Sequence, residues 1–217
     1  MAKRFVYCAV PQRPFVEPAP VEFQYFNGFS LAQKQRCIDS LHESFLCDRP
    51  GTRILEVSSK GRNPLGNALS AFNLTVEASG RVISVECAFQ GSKVFELGGP
   101  YADLLDVSSR EAKKDPRLHE SGRVVGFSLG GVDHPTEPKD LFYCWLYTNA
   151  LGQNVDLLDE ACKFDAFTDI EFNPAKQINC QAKALAAAVG LRRAGKLEQA
   201  LESVTAFQSL LYGDEIV

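Results

Sequence analysis

At 217 residues, with 45% hydrophobic and 23% charged residues, the chain has the length and composition of one globular domain with a sizeable core. A net charge of −4 without any long basic run excludes a dedicated nucleic-acid clamp, while leaving room for a local basic rim around a cleft. No apolar run approaches the length of a membrane span, and Pro11 and Pro14 interrupt the segment after the basic start Met1-Ala2-Lys3-Arg4, so neither a transmembrane helix nor a signal peptide is expected and the location expected is cytoplasmic.

Seven scattered cysteines, an odd number with no C-x-x-C pair, are expected to be reduced and mostly buried. His42, His119 and His134 make no zinc-ligand spacing with them, so no structural zinc is expected.

In chain order, Arg4 to Val10 reads as a strand. Pro11, Pro14, Pro18 and Pro20 mark an extended connector, and Val21 to Phe26 a second strand ending at the Asn27-Gly28 turn. Ser30 caps a helix to about residue 46 with Leu31, Ile38, Leu41 and Phe45 on its apolar face. Lys34 projects into that stripe. It is either a lysine snorkelling at the core's edge or a desolvated amine with a lowered pKa, suited to nucleophilic work.

Arg53 to Ser58 alternates as a strand. Lys60 to Asn67 is a loop with two cations, Lys60 and Arg62, which either hold an anion or are simply solvated. Leu69 to Glu77 reads as a strand that turns at Ser79-Gly80 into a central helix over residues 84–97, capped by Ser84 and stopped by Gly98-Gly99-Pro100. Its core stripe is Val85, Ala88, Phe89 and Phe95, while Glu86, Gln90 and Lys93 share the other face at i, i+4 and i+7. Spacing alone makes these solvated helix residues, with a first-turn glutamate favoured by the dipole.

Downstream come a polar helix from Ser108, a strand from Arg123 to Leu129, and an amphipathic helix over residues 138–151 that buries the lone tryptophan, Trp145. Asp165 to Phe172 is a short strand or turn with Asp169 and Glu171 projecting opposite Ile170, and those acids either cap the next helix or bind a ligand. Two helices close the chain, Gln177 to Arg193 and Lys196 to Leu211. With no internal repeat and no linker, residues 1–217 read as one α+β domain, mainly helical around a few short strands.

The chain has no G-x-S-x-G, no Walker loop and no G-x-G-x-x-G after a strand. Carboxylates, lysines and amides remain, a set suited to proton transfer and to chemistry at an anomeric carbon.

The stretch Val85-Glu86-Cys87-Ala88-Phe89-Gln90-Gly91-Ser92-Lys93-Val94-Phe95 resembles the E-H-Y-F-Q-A-x-K-F helix of the NADAR family, the YbiA-like N-glycosidases. Leu69-Ser70-Ala71-Phe72 resembles that family's L-S-N-F segment. Gly28 to Gln35, Leu41-His42-Glu43, Glu111 to Asp115, Trp145 to Leu151, Ala166 to Pro174 and Asn179 to Ala182 resemble its guanine-specific branch, the antitoxins of DarT-type DNA ADP-ribosyltransferases. The chain lacks the wider family's W-G-x-G segment near the C-terminus.

The resemblance implies a YbiA-like fold and hydrolysis of the N-glycosidic bond between ADP-ribose and guanine in DNA. It implies no metal or redox cofactor, ADP-ribose as product and a possible cognate DarT-type toxin as partner, with no membrane involved. Glu86 is then the expected general acid/base and Lys34 a covalent nucleophile. Ser70, Phe72, Asn73, Gln90, Lys93, Trp145, Asp169, Glu171 and Asn179 are expected ligand contacts, with Lys60 or Arg62 at the pyrophosphate. The alternatives are a non-catalytic ADP-ribose-binding or toxin-binding antitoxin, and an N-glycosidase of a nucleotide metabolite.

Overall fold

A computed structural model describes residues 1–78 and 80–213. Ser79, half of the turn expected at Ser79-Gly80, lies outside the described residues. The chain opens with an antiparallel hairpin, β1 (Ala2–Ala9) and β2 (Val16–Phe23). The second strand runs through the segment expected to be a connector. It is the sheet's edge, where Pro18 and Pro20 are tolerated because a proline has no N–H to offer a further strand.

Helix α1 (Leu31–Asp48) comes next, with Ser30 Oγ accepting from Gln33 N at 3.3 Å. It buries Cys37, Ile38, Leu41 and Phe45, but Leu31 is 53% exposed, so Lys34 stands at the edge of the buried stripe and not in its middle. Strand β3 (Ile54–Glu56) leads to the short α2 (Pro64–Ala68), where a loop was expected. Gly66 lets α2 press onto the strand: a Cβ there would lie 1.9 Å from the Glu56 carbonyl oxygen.

The strand expected from Leu69 starts only at β4 (Thr75–Ala78), because Asn73 N and Leu74 N both close a turn onto Ser70 O at 2.8 Å. Strand β5 (Arg81–Ser84) pairs with β4 and runs straight into α3 (Val85–Gly91). This helix is half the expected length. At Gly91 a Cβ would meet the Leu105 side chain at 2.9 Å, and after Ser92 the chain becomes strand β6 (Lys93–Phe95). Lys93 is therefore a strand residue.

A 3₁₀ turn (Ala102–Leu105) precedes α4 (Ser109–Lys114), which has a capping box between Ser108 and Glu111, and α5 (Arg117–Glu120). Then come β7 (Val124–Leu129), β8 (Val132–His134), α6 (Leu141–Gln153), α7 (Val155–Ala161) and β9 (Ala166–Thr168). Helix α8 (Gln181–Arg193) starts four residues later than expected. The last predicted helix is two, α9 (Leu197–Leu201) and α10 (Val204–Tyr212), the second capped by Ser203.

The strands form three small sheets, ordered β2-β1-β9-β3, β4-β5 and β6-β7-β8. Helices α6 and α8 carry the largest core cluster, which runs from Tyr7 to Leu211, so the fold is α+β. All seven cysteines are free thiols and five are buried. Among the described residues no helix is long and apolar enough to cross a membrane.

Candidate functional site

The middle of the fold is organised by backbone ties around α3. Glu86 N donates to Ala71 O and Val85 N to Leu74 O, both at 2.9 Å, which holds the 70–74 turn against the helix start. Gln181, at the start of α8, staples that turn to β3: its Oε1 accepts from Ala71 N (2.8 Å) and its Nε2 donates to Val57 O (2.5 Å). Ser109 Oγ lies 2.8 Å from both the Phe72 carbonyl oxygen and Ser84 Oγ, tying α4 to the same turn.

These ties enclose a cavity of about 530 Å³, the size of a small-molecule site. Glu86, Phe89 and Gln90 line it from α3, and Ser70, Phe72 and Asn73 from the turn. Asp169 and Glu171 come from the segment after β9, together with Asn179, and Tyr143 comes from α6. Lys60, Arg110 and Lys113 supply cations.

Glu86 is only 5% exposed. Its Oε1 accepts from Gln90 Nε2 at 2.8 Å and lies 3.9 Å from Lys113 Nζ. Its Oε2 has no hydrogen-bond partner among the described residues. Lys113 also stands 5.0 Å above the Phe72 ring, a cation–π contact at the lip. Asn179 Oδ1 is buried and lacks a partner among the described residues.

Behind the cavity sits a carboxylate that sequence reasoning missed. Glu56 is buried, with Oε1 accepting from Ser58 Oγ (2.7 Å) and Ile170 N (2.9 Å) and Oε2 from Thr168 Oγ1 (2.6 Å). The single Thr168 hydroxyl proton goes to Glu56, so across its 2.8 Å contact with His42 Nε2 the imidazole donates. Burial holds His42 neutral, with its pKa lowered to about 4. Burial first, and then the charge of Glu56, push Asp169 up to about 8. Burial raises Glu56 as well, against its three donors. Of this pair, the neutral-pH proton belongs on Asp169, because Glu56 already receives three hydrogen bonds that suit a carboxylate.

Four of the expected site residues, Lys34, Arg62, Lys93 and Trp145, do not line this cavity. Lys34 does not line the cavity; its Nζ is 2.8 Å from Glu171 Oε1. Burial pulls its pKa down, but the hydrogen bond and charge of Glu171 outweigh that, and the net shift is upward, opposite to the expectation of a free amine. Arg62 points away and is held bidentately by Asp39. Lys93 is not in the lining; its ammonium meets Gln90 Oε1. Trp145 lies on the far side of α6, against His134 in a second cavity of about 750 Å³.

Of the other expected contacts, Lys60, Ser70, Phe72, Asn73, Gln90, Glu171 and Asn179 share the Glu86 cavity, although Asn73 Nδ2 is already engaged by Asn67. Arg110 and Lys113 were within reach of the sequence, since they belong to or adjoin the Glu111 to Asp115 stretch. Gln181 lies in the Asn179 to Ala182 stretch and was likewise within reach, whereas Tyr143 carried no local signal.

The sequence profile of the DarT1-associated NADAR antitoxins matches residues 2–217. The chain belongs to this family. A search of curated proteins finds no match. The family is described as one of antitoxins associated with DarT1.

Proposed function

We propose that this NADAR chain is an ADP-ribosyl glycohydrolase that cleaves the N-glycosidic bond between ADP-ribose and guanine in DNA, reversing the modification made by a DarT-type toxin. The observation that carries the reading is Glu86. It is a buried carboxylate with one oxygen held by Gln90 and the other open to a cavity, and Lys60, Arg110 and Lys113 line that cavity as cations. A carboxylate so placed suits protonation of a leaving base or activation of water at an anomeric carbon.

Around it, Asn179 Oδ1 and Ser70 are available to ribose or base hydrogen bonds, and Phe72 with Lys113 offers a surface for a base. Lys60 and Arg110 replace the Lys60/Arg62 pair as candidates for the pyrophosphate. Arg110 is the one arginine of twelve without a polar or aromatic partner among the described residues.

Lys34 enters as a nucleophile only by first passing its proton to Glu171, which is at hydrogen-bond distance. Its Nζ–C1 bond would form as the C1–N bond to guanine breaks, with a proton from Glu86 going to the base. Ring opening would break C1–O4, with O4 taking a proton from the Lys34 nitrogen, to give a protonated imine. Water adding at C1 would release ADP-ribose and regenerate the amine. The raised Lys34 pKa favours the simpler route, direct water activation by Glu86, and the two routes are separable.

Incubation with a guanine-ADP-ribosylated oligonucleotide should yield unmodified oligonucleotide and free ADP-ribose by mass analysis. Tight ADP-ribose binding with no product would instead identify a reader. Borohydride present during turnover should leave Lys34 without an ADP-ribose adduct if water attacks directly; a stable adduct there establishes the covalent route.

A further inference from the structure

Lys93 is a half-buried cation that the cavity does not use directly. It leaves α3 through Ser92 and returns its ammonium to the helix from strand β6. Its Nζ donates to Gln90 Oε1 at 2.7 Å, and Gln90 Nε2 donates to Glu86 Oε1 at 2.8 Å. We infer that Lys93 is a positioning residue: it locks the Gln90 carboxamide so that its N–H meets Glu86 Oε1, leaving Glu86 Oε2 as the oxygen presented to the substrate. The inference rests on the reading of Glu86 as the acid/base group.

The direction of this relay is forced by donor and acceptor chemistry. An ammonium has three donors and no acceptor, so only the carboxamide oxygen can face it. Rotating the amide by half a turn would set its NH₂ against the ammonium and its oxygen against the carboxylate, two repulsions replacing two charge-assisted hydrogen bonds. Without Lys93 only Glu86 orients the amide, so its present orientation is held by one charge-assisted hydrogen bond instead of two. With the amide reversed, Glu86 loses its donor, and its two oxygens are no longer different.

The enclosure of Lys93 makes this arrangement sensitive to pH. The Phe89 ring lies 4.7 Å from Nζ, and β6 packs Lys93 beside Phe127 of β7, both uncharged. The charged groups acting on it are Glu86 from α3 and Lys113 from α4. Burial, opposed by Glu86 and assisted by Lys113, lowers its pKa to about 8. Above that value the neutral amine binds the carboxamide oxygen more weakly, and Glu86 is left as the main group orienting the amide. Asp169 titrates in the same range, so a rate profile alone would not assign the change, and a local probe is needed.

That probe is the side-chain amide resonance of Gln90, followed by nitrogen–proton NMR from neutral to alkaline pH. In the unaltered protein it should titrate with a midpoint near about 8. In Lys93→Arg the guanidinium stays charged, so the resonance should hold its neutral-pH position throughout. Lys93→Met should lower kcat about tenfold with KM little changed, as expected for one lost charge-assisted hydrogen bond, and Lys93→Arg should recover most of the loss. A Gln90 resonance that does not titrate, or a Lys93→Met variant with unaltered kcat, overturns the inference. If Lys93→Met does not fold, the titration of the unaltered protein and of Lys93→Arg still decides it. Absence of any turnover on modified oligonucleotide would remove the glycohydrolase reading, while the amide titration would stand or fall separately.

Discussion

Two cavities among the described residues lie on opposite sides of α6, and the larger of the two is the less equipped. The one beside Trp145 measures about 750 Å³ and is walled by Leu129, Val132, Pro135, Trp145 and Val204, with His134 packed between Phe142 and Trp145. Its buried polar groups include Trp145 Nε1, which has no partner among the described residues, and a His134 whose pKa is lowered by burial. The Glu86 cavity is smaller at about 530 Å³, yet Glu86, Asp169, Glu171, Lys60, Arg110 and Lys113 converge on it from separate segments of the chain. An aromatic stack joins the two, from Phe89 in one wall through Phe142 to Trp145 in the other. Volume therefore says little about where chemistry can occur; what separates the cavities is the number of polar groups aimed inward and not yet paired.

The largest expected effect contrasts an acid in one cavity with the indole in the other. Glu86→Gln keeps a hydrogen-bonding side chain of the same shape and should lower turnover on modified oligonucleotide by roughly two orders of magnitude while leaving ADP-ribose affinity within a few-fold. Trp145→Phe should leave turnover within about twofold, because it removes an indole that touches His134 and Phe142 and not the Glu86 cavity. A comparable loss in both variants would mean that the aromatic stack transmits packing between the cavities and that they are not independent sites.

A smaller effect is expected at the mouth, between an arginine already paired and one that is not. Arg110→Gln should weaken ADP-ribose binding about tenfold by calorimetry, the loss of roughly one charge-assisted contact to phosphate. Arg62→Gln should change it little, since Arg62 is engaged by Asp39. Equal affinities for the two variants would place the pyrophosphate away from Arg110.

Local signals made part of this legible from the sequence. Ser30 and Ser108 cap the helices that begin after them, and the strand at Arg123 to Leu129 lies within a residue of β7. Resemblance, and not spacing, pointed to Glu86. The failures share a physical origin, which is that the deciding partner is distant in sequence. Lys34 read as either a snorkelling lysine or a desolvated amine because Glu171, its ion-pair partner, is in another segment. Lys93 read as the next turn of a helix because nothing nearby shows that Leu105 presses on Gly91 and that β7 recruits the next residues as a strand. Glu56 read as the polar half of an alternating strand, whereas Thr168 and Ile170 bury it.

The smallest expected effect concerns the two acids Asp169 and Glu86, which share a cavity but differ in what surrounds them. Glu86 has the Gln90 amide and the Lys113 ammonium beside it, whereas Asp169 has the Glu56 charge at its back. The Asp169 pKa rises from 3.8 in the unfolded chain to about 8 in the fold, so the folded state binds that proton more tightly. The resulting stabilisation is complete below the unfolded value and is lost as pH rises through about 8. His42 works in the other direction: lowered from 6.5 to about 4, it contributes stability above its unfolded value that is lost as pH falls through the folded one. Asp169→Asn removes the first dependence and leaves the second. Its melting temperature should match the unaltered protein or fall slightly below it in mild acid, then exceed it by a few degrees in mild alkali, at about 2–4 °C per kcal/mol for a chain of this size. Thermal melts of the two proteins across that range test this. A difference that stays constant with pH would mean that Asp169 is already ionised in the fold, and that the cavity holds two carboxylates of the same kind.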